Sequence, residues 1–267
     1  MPIALTRDVS PALARCELTF QPRVPIDYAR AAEQHQAYLT LLRSLGLTVQ
    51  RLAADPELPD CCFVEDAAVV LDEVAVVTRM GAASRRGESA AVAAALAPHR
   101  PLRFMAAPAC LDGGDVLRVG RRLFVGLSSR TNAAGLATLR EVAAPLGYEV
   151  LPVAVTGSLH LKSAMTALGD GAVLANPRWC DLGPVAGIEV VPVAEEEPHA
   201  ANVLTIGTTL VAAAGFPRTV QRLRGRGWNV QEIEVSEFLK AEAGVTCKAI
   251  VFEASASTTT CSITSSV

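Results

Sequence analysis

The 267-residue chain has no basic run longer than two residues, and its formal net charge is -3. Phosphate backbones demand a clustered positive footprint, so nucleic acid is excluded as a partner. No stretch approaches the ~20 apolar residues that span a bilayer, so no membrane association is expected. The start, Met1-Pro2-Ile3-Ala4-Leu5-Thr6-Arg7-Asp8, lacks a basic region followed by a sustained apolar run. It therefore reads as a cytoplasmic protein without a signal peptide. Gly-x-Gly-x-x-Gly and Walker patterns are missing, which leaves a nucleotide cofactor unsupported. No Cys or His pair has the close spacing of a zinc site, and Cys61-Cys62 is too tight for two ordinary ligands. No cofactor or metal is expected. Seven cysteines, an odd number without export signals, do not make a disulfide framework. Cys16, Cys110 and Cys180 read as small core or surface residues. With only four histidines, candidate bases are few.

Hydrophobic residues make up 51% and charged residues 19%, the balance of a compact globular protein. A hairpin-like unit recurs. Ala67–Leu71 and Val74–Thr78 flank Asp72-Glu73; Val116–Val119 and Leu123–Gly126 flank Gly120-Arg121-Arg122. Ala164–Leu168 and Ala172–Ala175 flank Gly169-Asp170-Gly171; Asn202–Ile206 and Leu210–Ala213 flank Gly207-Thr208-Thr209. Each is a pair of short apolar strands around a turn signal, and the loose period suggests an internal repeat. Between the pairs lie helical patterns: Asp27 to Leu45, with Ala29, Ala32, Tyr38, Leu41, Leu42 and Leu45 near helical period, then Thr131 to Ala144 and Thr219 to Arg224. Strand pairs alternating with helices predict an α/β architecture of several small sheets. One domain is expected over 1–253, with a flexible Ser/Thr-rich tail over 254–267, where Cys261 is incidental.

Three segments carry the parts of a nucleophilic cysteine site: Leu111-Asp112-Gly113-Gly114-Asp115, Ser158-Leu159-His160-Leu161-Lys162-Ser163 and Gly244-Val245-Thr246-Cys247. A thiol attacks only as its thiolate, so it needs a proton acceptor or a cation nearby. An imidazole in turn needs a carboxylate or carbonyl to fix its tautomer. Taken alone, Cys247 fits a small buried residue at a strand start, His160 a core histidine between leucines, and Asp112 and Asp115 an Asp-rich turn. His199 is the weaker imidazole candidate. Glu65-Asp66 is harder to dismiss, because it interrupts an apolar run. Consecutive acids in a strand point to opposite faces, and burying either implies a cationic partner, internal or ligand. Ser84-Arg85-Arg86 and Ser128-Ser129-Arg130-Thr131-Asn132 place an arginine at equivalent strand exits, the residue suited to bidentate carboxylate binding.

These segments, with Asp60-Cys61-Cys62-Phe63-Val64-Glu65-Asp66, Gly81-Ala82-Ala83-Ser84-Arg85-Arg86 and Gly126-Leu127-Ser128-Ser129-Arg130-Thr131-Asn132, resemble the dimethylarginine dimethylaminohydrolase (dimethylargininase) family. The match runs in order from about Ala4 to Phe252. The family belongs to the guanidino-group-modifying enzymes, whose pentein fold is a five-bladed pseudo-symmetric α/β propeller of ββαβ units. The resemblance implies hydrolysis of an ω-methylated arginine to citrulline and a methylamine. By it, Cys247 forms a covalent thiouronium, His160 protonates the leaving amine and then activates water, and Asp112 orients His160. Glu65 and Asp66 match acids around the guanidinium, Asp60 the α-amine contact, and Arg85 and Arg130 the carboxylate clamps. Phe63 lines the pocket, Ala241 matches a backbone contact, and Leu18 matches the substrate-facing leucine of a mobile lid over Leu13–Val24. Glu242 departs from the family's frequent Asp; its extra methylene moves a carboxylate by about one bond length and bears on which guanidine fits. The partner is a small guanidino substrate, and self-association as a homodimer fits the family. The rivals are an amidino hydrolase such as an arginine deiminase acting on free arginine, and a non-catalytic binding propeller. Deiminases usually carry an extra helical domain, for which this chain has little spare length.

Overall fold

The computed structural model describes residues 1–169 and 171–254. Of the tail expected over 254–267, residues 255–267 lie outside the described residues. In chain order the elements are β1 (Pro2–Arg7), α1 (Tyr28–Ser44) and β2 (Thr48–Leu52); then β3 (Ala68–Val70), β4 (Ala75–Val77), α2 (Ser89–Leu96) and β5 (Leu102–Phe104). Next come β6 (Val116–Val119), β7 (Arg122–Leu127), α3 (Ala133–Ala143) and β8 (Glu149–Ala154). They are followed by α4 (Leu161–Ala164), β9 (Met165–Ala167), β10 (Ala172–Ala175) and β11 (Glu189–Pro192). The chain ends on β12 (Val203–Ile206), β13 (Thr209–Ala213), α5 (Pro217–Gly225), β14 (Asn229–Ile233), α6 (Ser236–Leu239) and β15 (Ile250–Glu253).

These strands form five three-stranded sheets with one pattern. Within each, the first two strands are antiparallel and the third returns parallel to the middle one, as β3-β4-β5 shows. The first sheet is shared by the two ends of the chain: β15 runs antiparallel to β1, and β2 parallel to it. One strand from every sheet (β3, β6, β9, β12 and β15) contributes to the wall of a central cavity of about 380 Å³, through Val69, Leu117, Thr166, Leu204 and Val251. Five such sheets around one axis, four of them ββαβ units, make a five-bladed α/β propeller, and the four anticipated hairpins are four of its blades.

Local chemistry explains the boundaries. Asp27 caps α1 by accepting from the Arg30 N–H at 3.1 Å, and Gly46 supplies the left-handed stop at φ 87°. The buried face of α1 is Ala31, Gln34, His35, Tyr38, Leu39 and Leu42, turned from the expected stripe because Gln34 and His35 go inward and Ala29 stays out. Truncating fully buried Leu39 or Leu42 to Ala would cost about 2–5 kcal/mol. Two expectations need correction. Glu65 and Asp66 lie in a 3-10 turn, Val64–Ala67, not in a strand, so both are buried rather than split between faces. The fourth blade crosses from β10 to β11 without an α-helix, through a 3-10 turn at Gly183–Val185. Helix α2 escaped the periodicity reading because Ser-Ala-Ala-Val-Ala-Ala-Ala-Leu has too little contrast to show a face.

Candidate active site

The inner strands explain how distant segments meet. Each is entered from the same end of the axis, and the chemistry-bearing residues sit just before those entrances. Glu65 and Asp66 precede β3; Asp112 leads the turn before β6; His160 caps α4 before β9; Asn202 precedes β12; Cys247 lies in the 3-10 turn before β15. A propeller therefore converts separations of tens of residues into neighbours around one axis.

His160 is held among carboxylates. Its Nε2 lies 3.0 Å from Asp112 Oδ2 and 3.9 Å from Asp66 Oδ1. Burial disfavours the imidazolium, but Asp66, the hydrogen bond with Asp112 and Asp115 outweigh it and push His160 up to about 9. Asp66 moves the other way: burial raises it, while His160 and Arg85 hold it down at about 2. Gly114 lets the backbone approach, since a Cβ there would sit 2.7 Å from Asp66 Oδ1 and 2.9 Å from His160 Nδ1. The Gly114 N–H donates to Asp66 Oδ1 at 3.0 Å. Asp115 has a different duty. It accepts from Ser128, Thr131 and the Leu161 N–H, and so ties α4 to the neighbouring blade.

Cys247 is fixed by its loop. Tyr38 donates to the Val245 carbonyl at 2.7 Å, and Asn202 accepts from the Thr246 N–H at 3.0 Å. A Cβ at Gly244 would meet Asn202 Oδ1 at 2.3 Å, so glycine is what allows this packing. The Gly244 N–H points at the Cys247 sulfur from 3.4 Å. Burial, then Glu65 and Asp66, push the thiol up to about 12 against that N–H and Lys162. In this setting the sulfur is a thiol at neutral pH, and a cation placed beside it is what would favour the thiolate.

Around the sulfur lies a small pocket whose walls include Asp60, Phe63, Asp66, Arg130, His160 and Cys247, together with Glu17, Arg85, Ala241 and Glu242. Its free volume is about 20 Å³, room for about one water molecule. Admitting a larger molecule requires a wall to move. Burial raises the carboxyl of Asp60, while Arg85 and the Glu17 N–H restrain it. The two arginines differ. Arg85 gives Nη1 to Asp66 at 2.7 Å, Nη2 to Glu88 at 2.8 Å and to the Phe63 carbonyl at 3.2 Å, and Nε to Glu88 at 3.1 Å. Arg130 is also buried; its Nη1 makes no hydrogen bond among the described residues but faces Asp112 Oδ2 from 3.9 Å, and its Nη2 reaches only Thr19 Oγ1 at 3.5 Å. An anion-binding donor is therefore available on Arg130.

A family model described as N,N dimethylarginine dimethylhydrolase, eukaryotic, matches residues 20–178. An N(G),N(G)-dimethylarginine dimethylaminohydrolase of Streptomyces coelicolor is 41% identical over 248 residues, 92% of this chain and 95% of that protein. The chain belongs to the dimethylarginine dimethylaminohydrolase family. A Pseudomonas aeruginosa member, solved as a cysteine-to-serine variant complexed with citrulline, superposes with TM-score 0.86 at 30% identity, covering 93% of this chain and 98% of that one. The N-terminal domain of ArgZ, a cyanobacterial arginine dihydrolase, shares the fold at TM-score 0.82 and 18% identity, over 94% of this chain and 98% of that one. The pentein propeller of the family is thus the fold of this chain.

Most residues expected from the family converge, and three do not reach the pocket wall. Asp112, wholly buried, stands behind His160. Glu65 turns away to Lys162 Nζ at 2.6 Å and Thr246 Oγ1 at 2.8 Å, on the side of the central cavity. Leu18 packs against the apolar cluster of α1 while its neighbour Glu17 takes the wall position. Arg85, expected as a clamp, lines the pocket with its guanidinium engaged by Asp66 and Glu88. The carboxylate of Glu242 likewise turns to the lid instead of the pocket centre. His199 meets Trp179 edge-on and does not line the pocket. Burial of Glu65-Asp66 did announce cationic partners, and they are internal: Lys162 and Arg85. Sequence reasoning missed Glu17, Asn202, Tyr38 and Lys248, because each acts through a fold contact that has no local motif. Asp66, Asp112 and His160 bring ligand atoms within 4.8 Å of one another, a set that could hold a metal ion. Chain spacing conceals that set; Asp66 already accepts from Arg85 and Gly114, which favours reading it as an imidazolium between acids.

Proposed function

We propose that this chain hydrolyses an ω-methylated arginine to citrulline and a methylamine, with residues 1–253 as one catalytic domain. The observation that carries the reading is the pocket itself, where a thiol and an imidazole favouring its charged form share walls with a buried carboxylate. A guanidinium is a poor electrophile because its charge is delocalised, so it must be held in line with the sulfur. Asp66 supplies the anion for that. As the cation binds, the thiol proton leaves to solvent and the thiolate attacks the guanidinium carbon. A C–S bond forms; the C–N bond to the methylamine breaks as the His160 imidazolium donates its proton. Neutral His160 then takes a proton from water, whose oxygen bonds to the same carbon, and the C–S bond breaks to release citrulline and the thiol. Asp112 orients His160 throughout.

Asp60 suits the substrate's α-ammonium, and Arg130 its carboxylate through Nη1, which makes no hydrogen bond among the described residues. Arg85 acts on Asp66, whose carboxylate it anchors. Glu65, held by Lys162, lies behind the reacting groups, with Phe63 and Ala241 as walls and Leu18 in the lid. The substrate is a small guanidino compound, and we place the reaction in the cytoplasm, which six unpaired cysteines among the described residues favour. No helix among the described residues is long and apolar enough to cross a membrane. Assembly as a homodimer remains part of the family-based reading. The test is amine and citrulline release from monomethylarginine, asymmetric dimethylarginine and arginine, with Cys247→Ala alongside. Methylamine or dimethylamine release that vanishes in the variant supports the reading. Ammonia release from arginine alone transfers the chain to the deiminase class, and no turnover from folded protein moves it to another substrate or to binding.

A further inference from the structure

The segment Glu17–Gln21 starts at the pocket wall with Glu17 and is fastened at its far end by one side chain. Glu242 accepts from three consecutive backbone N–H groups: Thr19 at 3.1 Å to each oxygen, Phe20 at 2.6 Å and Gln21 at 2.5 Å. Successive N–H groups converging on one point form a concave anion site, and here the anion comes from the other end of the chain. The near end is tied differently: the Glu17 N–H donates to Asp60 Oδ2 at 3.1 Å, and Glu17 accepts from Ser84. Glu242 is the one non-glycine residue with positive φ among the described residues, at 57°. That conformation is uncommon for a residue with a Cβ. It follows the turn after α6, where the Ala243 N–H bonds to the Phe238 carbonyl at 3.0 Å. The strained backbone aims the carboxylate across the pocket mouth at the strap.

We propose that Glu242 is a positioning residue that latches this strap shut, and that its release governs passage of substrate and product. The proposal deepens the hydrolase reading, on which it rests for what is enclosed, and it gives the longer acid a reason. The pocket volume of about 20 Å³, with Glu17 of the strap in its wall, means that a guanidino amino acid enters only when a wall moves. The strap is held by hydrogen bonds from its backbone, and three consecutive donors end on Glu242. Phe20, Gln21, Pro22 and Val24 also roof a neighbouring cavity of about 400 Å³ that contains Trp179. Opening the latch therefore changes the surroundings of one of the two tryptophans in the chain.

Hydrogen exchange of the full chain tests the latch without substrate, so its outcome is separable from the fate of the hydrolase reading. Glu242→Gly removes the carboxylate and relieves the positive φ, which guards against loss of fold; Glu242→Gln keeps the length but sets an amide N–H against the donors. The expected result is exchange of the Thr19, Phe20 and Gln21 amides faster by roughly 10–100-fold in Glu242→Gly, with Glu242→Gln intermediate. Trp179 emission, read in a Trp228→Phe background, should shift in parallel. KM should fall by up to about 10-fold because the open form that admits substrate is more populated, while the pH dependence of kcat stays where it was. Unchanged exchange at all three amides overturns the latch, and a raised KM with unchanged exchange assigns Glu242 to substrate contact instead.

Discussion

Replacing Asp112 by Asn should move the basic limb of the activity profile and leave the fold in place. In the native protein His160 titrates at about 9, raised by Asp66, the hydrogen bond with Asp112 and Asp115 in spite of burial. The Asn side chain nearly preserves shape and still accepts from the Gly81 N–H, which donates to Asp112 Oδ1 at 2.8 Å. Its amide N–H, however, then faces Nε2 of His160 and favours the neutral ring. Removing the carboxylate at 3.0 Å should lower the His160 pKa by ~1–2 units, or ~1.4–2.7 kcal/mol. At pH 8 the share of imidazolium then falls from roughly 90% to as little as roughly 10%, by the same titration arithmetic. Amine release at pH 8 should drop at least severalfold, and the deficit should shrink as pH is lowered. The assay is kcat for methylamine release across pH 5.5 to about 10, paired with an NMR titration of the His160 ring. A variant whose basic limb and ring titration both stay near about 9 refutes the assignment of Asp112.

The ultraviolet thiolate band of Cys247, read against Cys247→Ala, should be missing near neutral pH without ligand and appear when a guanidinium analogue binds, since the thiol is pushed up to about 12; a band of equal size without ligand contradicts substrate-assisted ionisation. Arg130→Lys should raise KM about 10-fold or more by losing a planar donor, with little effect on melting. Arg85→Met should instead destabilise by about 3–5 kcal/mol, because it leaves Asp66 and Glu88 buried and unpaired; equal behaviour of the two variants in chemical denaturation and kinetics contradicts the division of roles. Lys248 is wholly buried between the Tyr38 and Phe238 rings, 4.2 and 4.0 Å from their centroids, and burial lowers it from 10.5 to about 7. Between those values the unfolded chain binds the extra proton, so this residue's contribution to stability rises with pH, by at most ~1.4 kcal/mol per unit. Subtracting the pH–stability curve of Lys248→Met from that of the wild type removes the opposite trend of His160 and should leave a difference climbing from about pH 7; a flat difference contradicts it.

The hairpins were legible because each pairs two short apolar runs around a turn signal, and those signals are local. The third strand of each blade was not, since β5, β8, β11 and β14 are defined by a parallel partner far along the chain. The same divide runs through the site. Cys247, His160 and Asp112 stood out as chemistry, but their meeting follows from the axis, to which the entrance of every inner strand brings one of them or a neighbour. Buried Glu65 and Asp66 demanded cations, yet only the fold could choose Lys162 for one and Arg85 for the other. Glu242 shows the limit most plainly: sequence proximity to Cys247 suggested the substrate, and a positive φ turned its carboxylate to a strap more than two hundred residues earlier.

The central claim is that Cys247 becomes covalently bound to the substrate's guanidino carbon. Rapid acid quench of enzyme mixed with asymmetric dimethylarginine, followed by intact-mass analysis and peptide mapping, tests it most directly. The account predicts a transient adduct on the peptide carrying Cys247, formed with dimethylamine release and decaying as citrulline appears. Citrulline formed at the full rate by Cys247→Ser, with no adduct on that peptide in the native enzyme, would contradict it.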